Sequence, residues 1–221
     1  MNLETLSKAD HEFCEALGPY TNNGVASMKD LFALCRTLPL NGELVECGVH
    51  QGAGMAIMAR AQTNPVVGFD SFEGAPFACP LDVRQPDGGG SFLDDPEKPL
   101  LHRLRSCGLF KCDLETVLGN LQGWGCDMGR MVLKRGWFQH TMPRIDIPQI
   151  ALLRLDCDLY ESSLCAMINL YPHLIRGGMT VIDSYPGTRL AVETYLNACC
   201  LEQRIQFAGG LEGDYNYWIK P

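Results

Sequence analysis

The residues best suited to chemistry are acids that follow apolar runs. Glu46 opens the stretch Glu46-Cys-Gly48-Val-His-Gln-Gly52-Ala-Gly54, which leaves a predicted strand and runs into a predicted helix. Glycines in such a turn let the backbone approach a ligand closely, and the helix amino terminus that follows favours an anionic group. The spacing is GxxxGxG, not the GxGxxG that cradles a dinucleotide pyrophosphate. An acid just before the first glycine suits a ligand carrying an amino acid, with its ammonium near Glu46 and its carboxylate near backbone N–H groups. A plain strand-to-helix turn is the alternative. Asp70 ends the next apolar run, in VVGFDSFEGAP. It lies roughly 20 residues beyond the glycine turn, where a carboxylate accepts hydrogen bonds from ribose hydroxyls. Its other reading is a cap for the turn that follows. Together these features describe a pocket for a nucleoside with an amino-acid tail, and S-adenosylmethionine is such a molecule.

A second group of acids lies further along. Arg154-Leu-Asp156-Cys-Asp158-Leu-Tyr160-Glu161 ends one apolar run, and Val181-Ile-Asp183-Ser184-Tyr185 ends the next. In a parallel sheet Asp156 and Asp183 would project from neighbouring strand ends. Two carboxylates that close repel each other unless a cation or a shared proton lies between them, and hard oxygen donors suit Mg²⁺. Glu161 is read instead as a helix cap.

The elements that must position these acids alternate in type. Helical spacing spans VASMKDLFALCRTL (Val25 to Leu38). Strands are predicted at Glu43–His50, Val66–Asp70, Met131–Phe138, Ile150–Asp156 and Met179–Asp183. Helices are predicted in AGMAIMARAQ, DLETVLGNL, ESSLCAMINLYPHLI and TRLAVETYLNACCLEQ, and the short runs IQFA and YNYWIKP close the pattern as a strand pair. Strands alternating with helices imply a parallel sheet covered on both faces, with ligands at the carboxyl ends of the strands. The whole of 1–221 reads as a single domain with an N-terminal helical segment over 1–40. One segment, Pro76 to Pro99, is crowded with prolines and holds Gly88-Gly89-Gly90, the composition of a lid-like loop.

Composition narrows the function classes. Eighteen Lys and Arg against 26 Asp and Glu give a net charge of −8, unlike the basic surface a nucleic-acid binder needs. The amino terminus is polar rather than signal-like, and no apolar run approaches the ~20 residues that span a bilayer, so a cytoplasmic protein is expected. Eleven scattered cysteines without a CxxC pair read as small core hydrophobes in a reducing compartment, rather than as a zinc site or disulfide framework.

Residues 42 to 219 resemble the macrocin O-methyltransferase family, class I enzymes that use S-adenosylmethionine to methylate sugar hydroxyls in antibiotic biosynthesis. The matching stretches are LVECGVHQGAG, VVGFDSFEGAP, the GWFQHTMP block at Gly136 to Pro143, LLRLDCDLYES, and NLYPHLIRGGMTVID at Asn169 to Asp183. The resemblance implies an α/β Rossmann-like fold, a mostly parallel seven-stranded sheet with an antiparallel C-terminal strand and helices on both faces. It implies that Glu46, Gly48, Gly52 and Gly54 line the methionine end of the cofactor, that Asp70 holds the ribose, that Gly136, Trp137 and Phe138 flank adenine, and that Ser71 is a further cofactor-binding residue. Asp156 would border the cofactor and, with Asp183, bind Mg²⁺. Asp158 is placed as general base, and His140 is a second candidate. The family carries two successive acids at the last strand end; here the second is Ser184, a poorer and neutral ligand. The expected partner is a small hydroxylated acceptor, with a homo-oligomer as the candidate assembly. Two competing readings are a cofactor-binding member that has lost its metal and turnover, and a nicotinamide-dependent oxidoreductase, which fails the glycine spacing.

Overall fold

Five apolar runs form parallel strands in the computed structural model, which describes residues 6–39, 41–83, 104–182, 186–201, 206–207 and 216–221. They are β1 (Glu43–Cys47), β2 (Val66–Asp70), β3 (Met131–Arg135), β4 (Ile150–Leu155) and β5 (Leu174–Ile182). With β6 (Gln206–Phe207) and β7 (Asn216–Ile219) they make a seven-stranded sheet ordered β3-β2-β1-β4-β5-β7-β6. β7 runs antiparallel to both its neighbours and sits between them. This is the class I methyltransferase sheet that the sequence led us to expect.

Both faces of the sheet are covered, because each central strand is apolar on both sides. Helices α1 (Lys8–Leu17), α2 (Gly24–Arg36), α3 (Ala53–Ala61) and α5 (Leu114–Gly123) pack over one face, where Leu44, Leu152 and Val181 point. Helices α6 (Phe138–Thr141), α7 (Tyr160–Leu170) and α8 (Pro186–Ala198) cover the other, against Val45, Cys47, Leu153 and Leu155. Alternation along a strand therefore sends Glu46 and Arg154 toward the α3 face. The N-terminal segment is helical as expected, and Ser7 caps α1 through the Asp10 amide at 3.2 Å.

Several boundaries differ from the sequence reading, β1 among them, which ends at Cys47 rather than His50. The helix after β4 stops at Leu170, since Pro172 takes the chain into a 3-10 turn over Tyr171–His173. β5 then begins at Leu174 rather than Met179, its early half disguised in the sequence by Gly177-Gly178. β3 ends at Arg135, and Phe138 opens the short helix α6 instead of extending the strand.

Of the segment from Pro76 to Pro99, the residues up to Val83 are described and docked. Pro76 bridges Ser106, Ala78 packs with Leu159, and α4 (Pro80–Val83) lies against α8. Residues 84–99 lie outside the described residues. All eleven cysteines are free thiols; Cys14, Cys35, Cys47 and Cys79 are buried as core hydrophobes, whereas Cys199 and Cys200 are exposed. Among the described residues no helix is long and apolar enough to cross a membrane.

The turn after β1 is packed against the end of β4. Gly48 has φ +94°, and a Cβ there would run into the carbonyl of Asp156. Gly48→Ala should therefore cost about 2–4 kcal/mol in strain and overpacking. A thermal melt should show Tm lower by roughly 5–15 °C. An unchanged Tm would mean the two strand ends are free to move apart.

Candidate active site

Parallel register places Glu46 of β1 directly beside Arg154 of β4. Both side chains are at most 2 % exposed, and Arg154 Nη1 donates to Glu46 Oε1 in a buried ion pair. Charges so deep are tolerated only when paired and hydrogen-bonded. Arg154 meets this need twice, its Nη2 reaching Asp156 Oδ2 at 2.8 Å. Gly54 leaves room for the pair, because a Cβ on that residue would collide with the Glu46 carboxylate. Glu46 Oε2 is buried without a hydrogen-bond partner among the described residues. Burial pushes the Glu46 carboxyl up to about 7, against the opposing pull of Arg154.

Asp70 fixes the glycine turn from the next strand. Its Oδ2 accepts from the Val49 and His50 amides at 2.8 and 3.0 Å, and its Oδ1 from the Phe72 amide at 2.7 Å. The cap reading of this residue is what these bonds show, and Asp70 also borders the cavity at the carboxyl end of β2. The Val49 and His50 amides, which the glycine pattern offered to a ligand carboxylate, are committed to Asp70. His50 has φ +49°, and Gly48 and Gly52 both have φ +94°, so this left-handed stretch gains its anchoring from one carboxylate. Burial pushes the His50 imidazole below its usual value, with Asp70 and Asp156 pulling the other way.

At the end of β4, Asp156 is met by an unexpected partner. Asn23 stands at the amino-terminal cap of α2 but makes no cap with its side chain. The amide instead crosses to Asp156 and donates to Oδ1 and Oδ2 at 3.0 and 3.1 Å. Beyond Asp156 the chain turns tightly, with the Leu159 amide 2.6 Å from the Cys157 carbonyl and Asp158 at φ +57°.

These groups surround a cavity of about 470 Å³, within the range of small-molecule sites. Of the residues anticipated from sequence, Glu46, Gly48, Gly54, Asp70, Ser71, Trp137, Phe138, Asp156 and Asp158 line it. Ser71 also ties its own turn by donating to the Gly74 carbonyl at 2.8 Å. Gly52 and Gly136 shape the adjoining turns without lining the cavity, Gly52 lying against Val117 and Leu121 and Gly136 donating its amide to the Asp70 carbonyl. His140 is exposed and lines a separate cavity with Lys134 and Arg135, so the second candidate base does not face this site. Asp183 and Ser184 lie outside the described residues. The sequence reading missed Tyr20, Thr21 and Asn23, which bring the N-terminal segment into the wall. It also missed the role of Arg154, although an arginine inside an apolar strand was a signal that a buried acid must lie beside it.

The cavity fits the cofactor anticipated from sequence, because a buried carboxylate oxygen lacking a donor suits an ammonium. For a divalent cation the anticipated donor among the described residues is Asp156, a hard-oxygen group at a strand end that Arg154 and the Asn23 amide already engage. Among the described residues no cluster of three His, Cys, Asp or Glu could hold a metal.

The family model described as Macrocin-O-methyltransferase (TylF) matches residues 19–210. The chain belongs to the macrocin O-methyltransferase family. It is 36% identical over 151 residues to the 8-demethyl-8-(2,3-dimethoxy-alpha-L-rhamnosyl)-tetracenomycin-C 4'-O-methyltransferase of Streptomyces olivaceus, a match covering 65% of this chain and 53% of that protein. It is 33% identical over 165 residues to the demethyldecarbamoylnovobiocin O-methyltransferase of Streptomyces niveus, covering 70% of this chain and 58% of that one. The macrocin-type chain thus spans little more than half the length of these curated relatives. Among solved structures it is similar to the O-methyltransferase NovP, with TM-score 0.68 and 28% identity over 91% of this chain and 82% of NovP. The calicheamicin methyltransferase CalS11 shares the fold, with TM-score 0.64 and 19% identity over 98% of this chain and 95% of that one.

Within this macrocin-family site the Glu46–Arg154 pair should be costly to break. Arg154→Met leaves a buried carboxylate without its cation, a loss of about 3–5 kcal/mol. Glu46→Gln added to Arg154→Met should recover part of that loss. Because Glu46 has a raised folded pKa, it folds readily when neutral. The Arg154→Met penalty, read by denaturant unfolding, should therefore be larger near pH 8 than near pH 6. A penalty equal at both would place the charge elsewhere.

Proposed function

We propose that this protein transfers a methyl group from S-adenosylmethionine to a hydroxyl of a small molecule, a natural product or its sugar. One observation carries the reading: the cavity at the carboxyl ends of β1, β2 and β4 is walled by the buried Glu46, whose Oε2 has no donor among the described residues. That oxygen accepts the ammonium of the amino-acid tail. Asp70 bounds the site at the end of β2, and Trp137 and Phe138 supply flat apolar surface for adenine. Family membership and the relatives named as O-methyltransferases of a rhamnosyl-tetracenomycin and of demethyldecarbamoylnovobiocin support the acceptor class.

Bound S-adenosylmethionine supplies the electrophilic methyl group. This chain must hold the acceptor oxygen in line with it and take the hydroxyl proton. Asp156 is already engaged by Arg154 and by the Asn23 amide, so its oxygens are occupied by protein donors. Asp158 stands two residues further on the same wall and is the residue we assign to the proton. Asp156 and Asp183 would hold Mg²⁺, which lowers the pKa of a hydroxyl bound to it, and Ser184 leaves that donor set one acid short. The contacts of Asn23 with Asp156 favour a second reading, methyl transfer without metal.

Calorimetric titration with S-adenosylhomocysteine and NAD tests the cofactor, and only the former should bind. Because Glu46 titrates at about 7, affinity should be full above neutrality and weaken by up to about tenfold per pH unit below it. Glu46→Gln should bind more weakly and show no such slope. A wild-type affinity independent of pH would remove Glu46 from the ammonium.

For the reaction itself, a panel of glycosylated natural products and nucleotide sugars is incubated with S-adenosylmethionine and read by mass spectrometry. Asp158→Asn should slow the reaction by about 10²–10⁴-fold with cofactor affinity retained. Excess EDTA should slow the wild type, and Mg²⁺ should restore it. Full activity in EDTA would select the metal-free reading and leave Asp158 as base.

A further inference from the structure

The turn that carries Asp158 joins the end of β4 to the next helix. Helix α7 begins immediately after it, and its amino-terminal cap residue, Leu159, offers no side-chain acceptor. Asp158 itself is held at φ +57°, a conformation that L side chains seldom adopt. A contact from outside this stretch adds to the internal hydrogen bond from the Leu159 amide to the Cys157 carbonyl. The outside partner is Asp82, which belongs to α4, far earlier in the sequence. Its Oδ1 accepts from the Tyr160 amide at 2.7 Å and its Oδ2 from the Cys79 amide at 2.8 Å. Asp82 is 1 % exposed, so this is a buried carboxylate whose charge falls on the amino terminus of α7.

The surroundings are built around that contact. A Cβ at Gly187, at the start of α8, would stand 2.5 Å from Asp82 Oδ1 and 2.7 Å from the Asp158 carbonyl. A glycine is thus needed where α8 passes over the junction. Ala78 packs on Leu159 beside it, with Ala75, Cys107 and Leu109 around them. Three distant stretches meet behind the Asp158 turn, and Asp82 is the charged group that joins two of them. It does not line the cavity, which distinguishes it from Glu46, Asp70 and Asp156.

We propose that Asp82 is a positioning residue for methyl transfer, holding the Asp158 turn in place through the amino terminus of α7. The proposal rests on Asp158 being the group that takes the acceptor proton. A base on a left-handed turn keeps its reach only while the turn is fixed, and a displacement of about 1 Å at a reacting group costs on the order of a hundredfold in rate. The relevant acceptor atom is Oδ1, so an amide side chain that keeps one oxygen at this place preserves much of the function.

The test compares wild type with Asp82→Ala, Asp82→Asn and Asp158→Asn, at a temperature where melts show each to be folded. Amide hydrogen exchange over Leu159–Ser163 should be about tenfold to a hundredfold faster in Asp82→Ala, the scale of a lost charge-assisted hydrogen bond. Asp82→Asn should restore most of the protection. S-adenosylhomocysteine affinity should stay within about twofold of wild type, since Asp82 lies outside the cavity. With an acceptor from the panel, kcat should fall at least about tenfold in Asp82→Ala while KM for S-adenosylmethionine holds, and Asp82→Asn should recover it. Exchange that is unchanged in Asp82→Ala overturns the proposal, as does a kcat equal to wild type when Asp158→Asn is inactive. Asp158→Asn as active as wild type would instead overturn the assignment of Asp158. If Asp82→Ala does not fold, the same readouts are taken on Asp82→Ser, too short to reach the Tyr160 amide: protection and kcat lost together support the proposal, and either one at the wild-type level overturns it.

Discussion

The site depends on burying one negative charge in the middle of a sheet. Glu46 costs several kcal/mol to desolvate, and the fold offsets this with an arginine on the neighbouring strand rather than with solvent. That choice fixes the register of β1 against β4 and forces a glycine at position 54 in the helix above. Arg154 contacts Glu46 and Asp156 together, so one guanidinium ties two walls of the cavity to each other.

The strand ends carried most of what the sequence disclosed. Glu46, Asp70 and Asp156 were found because a parallel sheet exposes its chemistry at the carboxyl ends of strands, and apolar runs mark those ends clearly. Local patterns fared worse where glycine or proline interrupted them, as at Gly177-Gly178, which hid the first half of β5. His140 followed the right block of sequence, yet α6 turns its side chain to a different cavity. A turn of helix decides that direction, and periodicity over four residues cannot resolve it.

The contacts that sequence reasoning did not reach are long-range ones made by small polar side chains. Asn23 sits at a helix start, where an asparagine is ordinarily read as a cap, but its amide is spent on Asp156. Asp82 sits in a proline-rich stretch and is spent on α7. In both cases the residue type suits a local hydrogen bond equally well, so only the three-dimensional arrangement separates the two uses. The N-terminal segment thereby reaches the wall of the site through Tyr20, Thr21 and Asn23, in the connection between α1 and α2.

The position of β7 bears on how the chain is made. Translation delivers β5 long before β7, yet β7 lies inside the sheet, between β5 and β6. Until residues 216–219 leave the ribosome, β5 has one edge without a hydrogen-bonding partner and the place of the buried Trp218 in the core is unfilled. Domains otherwise form from the amino-terminal side as they emerge. Here the glycine turn, the buried ion pair and the Asp158 turn can all assemble first, while the sheet waits for its late strand. A nascent chain stalled in that interval exposes an apolar strand edge, which makes it a substrate for chaperones.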